Sequence, residues 1–297
     1  MKYFSLISLI ISLLFCPISA EEVSSGKIIL NEYEQEETRE LVKLVYEAAD
    51  LVEEFGEKAF PEFRVENSKW YFDDIYVFVW GMDGMRYVYP RDISGEGHNM
   101  ADLQDINGKP IGKMIIETAS RGQGWVFYEW TVPGQEEPQW KSTFIKRATT
   151  PSGKEYLVGI GLYNMPVEKK FIEDMVFAAA DLIKQVGLTE AQKRFRTKED
   201  KYIFQNIYIF LNDIDGNELF NPVTSKSDNE FTQEQYEKVT NYYQNEIRSQ
   251  LLKKRQVWMS YEWPDPKNNR LSRKDTFLHA IYVDEDQIVV GAGYYPE

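Results

Sequence analysis

Tyr76, Phe78 and Trp80 stand two residues apart, as do Tyr128 and Trp130, and Lys141 and Thr143. Residues two apart in an extended strand share a face, so each set presents its side chains together. Aromatic rings exclude water, and an ammonium and phenol hydroxyls held among them bind a carboxylate more strongly than they do in bulk water. Tyr76, Phe78, Tyr89, Tyr128, Trp130, Lys141 and Thr143 therefore form a candidate pocket for a small organic anion. Tyr208, Phe210, Tyr261, Trp263 and Lys274 occupy matching places further along and form a second set. The competing reading is packing: aromatics at period two also fill cores, and a lysine beside them can run its stem outward to solvent.

Catalytic chemistry finds little to use. The chain has one cysteine, Cys16, and two histidines, His98 and His279, which lie far apart and at non-equivalent places. Neither a Gly-x-Ser-x-Gly elbow nor His-Glu-x-x-His occurs. Asp73 and Asp74 adjoin a turn, and Asp83, Asp105 and Asp215 read as turn formers. A calcium loop needs oxygen ligands at regular alternate positions and a terminal bidentate carboxylate, which these segments lack. Gly159 and Gly161 in "GIG", mirrored by Gly291 and Gly293, are too little for a phosphate loop. Inside a strand such glycines mark close approach of the opening helix or of a ligand to the backbone. A non-enzymatic protein with no cofactor and no metal is expected.

The candidate residues recur because the chain is duplicated. "GWVFYEW" ends at Trp130 and "VWMSYEW" at Trp263; "IYVFVWGMDG" is answered by "IYIFLNDIDG", "KSTF" by "KDTF" and "YLVGIGLY" by "IVVGAGYY", all at an offset of 132 or 133. Ordered matches at one offset are the mark of an internal repeat.

Each copy opens with a helix. Leu41, Leu44, Val45, Ala48, Leu51, Val52 and Phe55 recur at three- and four-residue steps opposite a charged face, and Phe171, Met175, Ala178, Ala179 and Leu182 repeat the pattern after Pro166. The period then changes to two through a hairpin around "GMDG". "KMIIETAS" is a short helix candidate, and three more strands follow. In the second copy "TQEQYEKVTNYYQNEIRSQLL" reads as a longer, polar helix in the middle region. The expected fold class is α+β: two tandem PAS-like modules, each a long N-terminal helix packed on an antiparallel sheet of about five strands. The expected domains are 36–166 and 167–297, after a signal peptide at 1–20.

"YVFVWGMDGMRYVYP", "GHNMADLQDINGKPI", "GQGWVFYEW", "KSTFIKR" and "YLVGIGLY", in that order, resemble the single Cache domain of bacterial extracellular sensors. The resemblance covers Glu36 to about Met165 closely and the second half more loosely. It implies an extracytoplasmic ligand-binding domain of PAS-like fold, the sensory part of a chemoreceptor or histidine kinase, often recognising small organic acids. Where the family commonly writes His-Pro at the end of the second strand, this chain has Tyr89-Pro90 and Asn221-Pro222. The first copy keeps the family-like insert and the glycines of "GQGW", so the ligand is expected mainly there, with Lys141 rather than Lys274 as its counter-ion.

The ends and the charge set the surroundings. "MKYFSLISLIISLLFCPISA" places one lysine before an apolar run shorter than the roughly 20 residues that span a bilayer, then a proline and small residues, which reads as a cleavable secretory signal. A retained anchor and lipidation at Cys16 are the alternatives. Cleavage after Ala20 leaves no thiol, so stability must come from burial. The sequence ends at Glu297 directly after the last strand, so neither a second membrane helix nor a signalling domain is expected to follow. A net charge of −14, from 48 acidic and 34 basic residues, opposes nucleic acid and anionic membrane surfaces as partners. The expectation is a periplasmic or secreted protein that binds a small anionic ligand, does not insert stably in a membrane and hands its signal to a separate membrane receptor. The alternative is an interaction or structural module with no small ligand.

Overall fold

The computed structural model describes residues 30–132, 134–222, 233–265 and 270–296; the leader segment 1–20 and Cys16 lie outside them. The two copies build the same plan in the same order. Helix α1 (Glu36–Phe55) buries Leu41, Val42, Val45, Ala48, Ala49 and Val52 along one stripe, as its spacing requires. Phe55, expected on that stripe, is 49% exposed because the helix ends there: Gly56 takes φ +60 and turns the chain away. After a two-residue hairpin, β1 (Tyr71–Phe72) with β2 (Ile75–Tyr76), come β3 (Phe78–Gly81) and β4 (Arg86–Val88), a short helix α2 (Ile111–Ser120), and the long strands β5 (Gln123–Trp130), β6 (Gln139–Thr149) and β7 (Glu155–Tyr163). The sheet is antiparallel in the order β4-β3-β7-β6-β5, with β6 between β5 and β7.

Strand alternation sorts the side chains onto two faces. Val77, Val79, Phe144, Tyr156, Val158 and Ile160 turn to the core beneath α1. Phe78, Trp80, Val126, Tyr128, Ile145 and Leu157 turn the other way and meet Ile111, Ile115 and Ala119 of α2. The aromatic set thus lies on the face opposite the long helix.

The second copy repeats this with α3 (Lys169–Val186), then α4 (Leu188–Arg194), which spacing did not reveal, and β8 (Ile203–Phe204) with β9 (Ile207–Tyr208). Next come β10 (Phe210–Asp213), β11 (Glu218–Phe220), β12 (Gln256–Pro264), β13 (Leu271–Val283) and β14 (Asp286–Tyr294), in the order β11-β10-β14-β13-β12. The long middle helix is α5 (Gln233–Tyr242) and α6 (Arg248–Lys254), joined by a π-helical turn at Tyr243–Ile247. No residue of α5 is buried.

The two units share one apolar core. Phe171 at the start of α3 reaches back to Trp125 and Phe127 of β5, each ring centroid 4.9 Å away, and Phe127 stacks on Phe204 at 4.2 Å. Glu168, almost wholly buried ahead of α3, accepts hydrogen bonds from the amides of Glu34 (2.7 Å) and Gln35 (3.0 Å). That carboxylate ties the start of one long helix to the start of the other. No described helix is long and apolar enough to cross a membrane.

Candidate functional site

Lys141 stands on β6 directly between Tyr128 of β5 and Tyr163 of β7. It is 2% exposed, and its Nζ donates to the Tyr76 hydroxyl at 3.0 Å and lies 4.5 Å from the Tyr163 ring centroid. No described carboxylate forms an ion pair with it. Burial pulls its ammonium down to about 8, with the nearby Tyr89 and Asp74 acting the other way. Lys274 on β13 is the mirror image: it faces Tyr261, is 2% exposed, and donates to the Tyr208 hydroxyl at 3.3 Å beside the Tyr295 ring at 5.3 Å. Burial pulls it down further, to about 7, while Asp265 opposes the shift.

The paired glycines make this possible, in a way spacing did not indicate. What comes nearest to them is the neighbouring strands, chiefly their side chains, with the Phe144 carbonyl 3.1 Å from a Cβ placed on Gly159 and the Asp275 carbonyl 2.8 Å from one on Gly293. A Cβ on Gly161 would stand 2.7 Å from Lys141 Cε and also strike Thr143 Oγ1; on Gly159 it would stand 2.5 Å from Phe78 Cζ. Gly293 and Gly291 hold Lys274, Thr276 and Phe210 in the same way. Bare glycine lets the lysine stem and the phenylalanine ring lie flat across the next strand. Thr143 does not line the cavity; its Oγ1 is 3.0 Å from the Tyr128 hydroxyl, and Thr276 donates to Tyr261 at 3.2 Å in the second unit. Each threonine orients a tyrosine.

A cavity of about 60 Å³ opens above Lys141. Tyr76, Phe78, Tyr89, Tyr128, Trp130 and Lys141 line it as expected, joined by Trp80, Arg86, Leu103, Ile111 and Ile115. Leu103, Ile111 and Ile115 belong to the insert and α2, whose contact with this face follows from tertiary packing alone. Arg86 gives Nε and Nη2 to the Gly95 carbonyl at 2.8 and 2.6 Å and lies 4.4 Å from the Tyr89 ring centroid. No acid lines the cavity. Trp80 carries a buried Nε1 that has no hydrogen-bond partner.

The second cavity is larger, about 120 Å³, and Tyr208, Phe210, Tyr261, Trp263 and Lys274 all line it. Tyr236, Val239 and Thr240 of α5, and Tyr243 of the π-turn, form its far wall. The size difference has a local cause. The start of α2 is pressed onto the loop before it, so that a Cβ on Gly112 would stand 2.6 Å from the Ala101 carbonyl oxygen. By contrast, no residue of α5 is buried. The preference for the first copy, drawn from motif retention, is therefore not matched by cavity size. Asp83 accepts the Met85 amide and Asp105 accepts those of Asn107 and Lys109, as turn formers do; Asp215 also lies in a turn, closed by the Gly216 amide on the Asp213 carbonyl, and pairs with Arg248 at 2.9 Å.

A Cache domain family model matches residues 21–297. Sensor histidine kinase MctS of Rhizobium johnstonii is 33% identical over 93 residues, which is 31% of this chain and 20% of that protein, so the chain spans about a fifth of the curated relative it matches. Among solved structures, the periplasmic sensor domain of a chemotaxis protein is 22% identical with a TM-score of 0.34, covering 49% of this chain and 97% of that one. A Cache chemosensory domain solved for carboxylic acid recognition is 18% identical with a TM-score of 0.32, covering 50% of this chain and all of that one.

Proposed function

The chain belongs to the Cache domain family, and from that premise we propose that it is a periplasmic or secreted sensor-type protein whose first unit binds a short carboxylate on Lys141 without transforming it. The observation that carries this reading is a lysine 2% exposed with no carboxylate in ion-pair contact among the described residues, at the floor of a cavity lined by aromatic rings; the nearby Asp74 pairs with Arg91 instead. A buried charge is costly unless it is paired and hydrogen-bonded, and a bound anion is the missing pair. Tyr76 holds the ammonium, Arg86 adds positive potential at the wall, and the unpartnered Trp80 Nε1–H offers a further donor to a ligand oxygen. The cavity of about 60 Å³ sets the size. Set beside the roughly 150 Å³ cavity that takes benzene, it has room for only a few heavy atoms, so the shortest carboxylates are the ones to test: acetate first, then propionate, lactate and pyruvate.

Occupancy of this site would be passed to a membrane receptor, the role for which the family is used. The test is a thermal-shift and intrinsic-fluorescence titration with these four acids. A ligand that binds only the native state raises Tm by mass action. Saturable quenching that disappears in Lys141→Met supports the reading, and recovery of the acid unchanged by NMR supports binding without turnover. Flat curves at millimolar concentration for the whole panel favour the interaction module without a small ligand. N-terminal sequencing of the exported protein should begin at or near Glu21; intact Met1 in the membrane fraction identifies an anchor instead.

A further inference from the structure

We propose that the second unit is an independent receptor site for a bulkier monocarboxylate, one with a phenyl or branched aliphatic body, seated between the β13 lysine and helix α5. It uses the lysine–tyrosine chemistry of the preceding reading at a different place, and it stands or falls separately.

Three observations converge on that ligand. The first is the anchor: Lys274 is 2% exposed, forms no ion pair among the described residues, and donates to the Tyr208 hydroxyl at 3.3 Å with the Tyr208 and Tyr295 rings about it. One carboxylate satisfies it. The second is the shape and lining of the cavity. Its volume of about 120 Å³ is twice that in the first unit. On the scale where a cavity of roughly 150 Å³ takes benzene, its enclosed part holds the head of such an acid, and the rest of the body runs out along α5 through the open side. Beyond the lysine, Phe210, Met259, Leu278, Val289, Val239 and Tyr243 offer an apolar body dispersion contacts, while Asn212, Asn221 and Thr240 add polar groups to the lining. The third is the mouth, where the exposed carboxylate of Glu218 is held by Asn221 at 3.2 Å. A second negative charge on the ligand would meet it, so dicarboxylates of the same length are rejected.

Helix α5 gives a clean handle on the site. Because it buries no residue, Val239→Trp fills the cavity from the outer wall without disturbing a core. Calorimetric titration with phenylacetate, 4-methylpentanoate, adipate and acetate is then run on the wild type, Lys274→Met, Val239→Trp and Lys141→Met. Phenylacetate and 4-methylpentanoate should bind the wild type and Lys141→Met alike. Both should weaken by about tenfold or more in Lys274→Met and in Val239→Trp, the loss expected for one charge-assisted hydrogen bond or for an occupied cavity. Adipate should bind at least tenfold more weakly than 4-methylpentanoate. If phenylacetate is displaced by acetate, or is weakened by Lys141→Met and not by Val239→Trp, both acids share the first site and the proposal is overturned. Absence of phenylacetate binding to a folded wild type also overturns it. Failure of acetate to bind at Lys141, with phenylacetate still lost in both second-unit variants, sinks only the first-unit reading.

Discussion

The ammonium of Lys274 lies 3.3 Å from the hydroxyl of Tyr208, and among the described residues that phenol is its one hydrogen-bond partner. Lys141 and Tyr76 repeat the arrangement at 3.0 Å in the first unit. A phenol can accept a hydrogen bond but carries no countercharge, and burial drives the Tyr208 hydroxyl's own ionisation well above its ordinary range. Each lysine is therefore held in place without being neutralised.

Removing that uncompensated charge should stabilise the empty protein. Burial lowers Lys274 from 10.5 to about 7, so between those values the unfolded chain holds a proton that the folded chain does not. Stability then rises with pH across that window, and the penalty of the buried ammonium is fully present below about 7. Lys274→Met should raise Tm most at pH 6 and least near pH 10, by about 2–4 °C for each kcal/mol recovered. A scanning-calorimetry series in which the variant melts lower at pH 6 contradicts this account.

Binding should carry the opposite pH signature. The ligand needs the ammonium, so carboxylate affinity at Lys141 should fall as pH rises beyond about 8, with net proton uptake on binding above that value. Titrations in buffers of different ionisation enthalpy measure the uptake. An affinity unchanged from pH 6 to 9.5 removes Lys141 from the binding step.

Gly161→Ala is a sharper test of geometry than a charge deletion. Its Cβ would meet Lys141 Cε at 2.7 Å, so the lysine must shift along the strand. Overpacking of this kind costs about 1–3 kcal/mol. Acetate affinity should drop by at least tenfold while phenylacetate affinity stays within about twofold of wild type. Equal losses at both sites point to general unfolding.

Glu168→Ala should loosen the junction of the long helices. The change leaves the amides of Glu34 and Gln35 without their acceptor, at a cost of about 1–3 kcal/mol. Hydrogen exchange should quicken at the first turns of α1 and α3, and leave β6 and β13 protected. Uniform quickening across the chain contradicts a local role.

The repeat, the two long helices and the strand faces were legible because periodicity reports them directly, and so was the gathering of Tyr76, Phe78, Tyr128 and Lys141 on one face. What was hidden depends on pairing between strands. Gly161 reads as a site of close approach, yet only the register of β6 against β7 shows that Lys141 and Thr143 are what approach it. Arg86 entered the cavity through the β3–β4 hairpin, whose register shifts between Val79 and Trp80, whereas the place of Trp80 beside Phe78 follows from its spacing. Phe127 meeting Phe204 joins segments in different copies, which no local pattern encodes. The π-turn at Tyr243 sits in what reads as uninterrupted polar helix.

The pressed start of α2 has a consequence in time. With Gly112 against the Ala101 carbonyl, α2 is packed tightly on the loop before it, whereas no residue of α5 is buried, so the wall over Lys141 should yield less readily than the wall over Lys274. Gated entry makes the observed association rate level off at the opening rate instead of climbing with concentration. In stopped-flow experiments acetate should show that plateau and leave slowly, while phenylacetate should exchange fast. The first unit would then average its surroundings over a long interval and the second would follow their fluctuations, so that one chain samples its environment on two clocks.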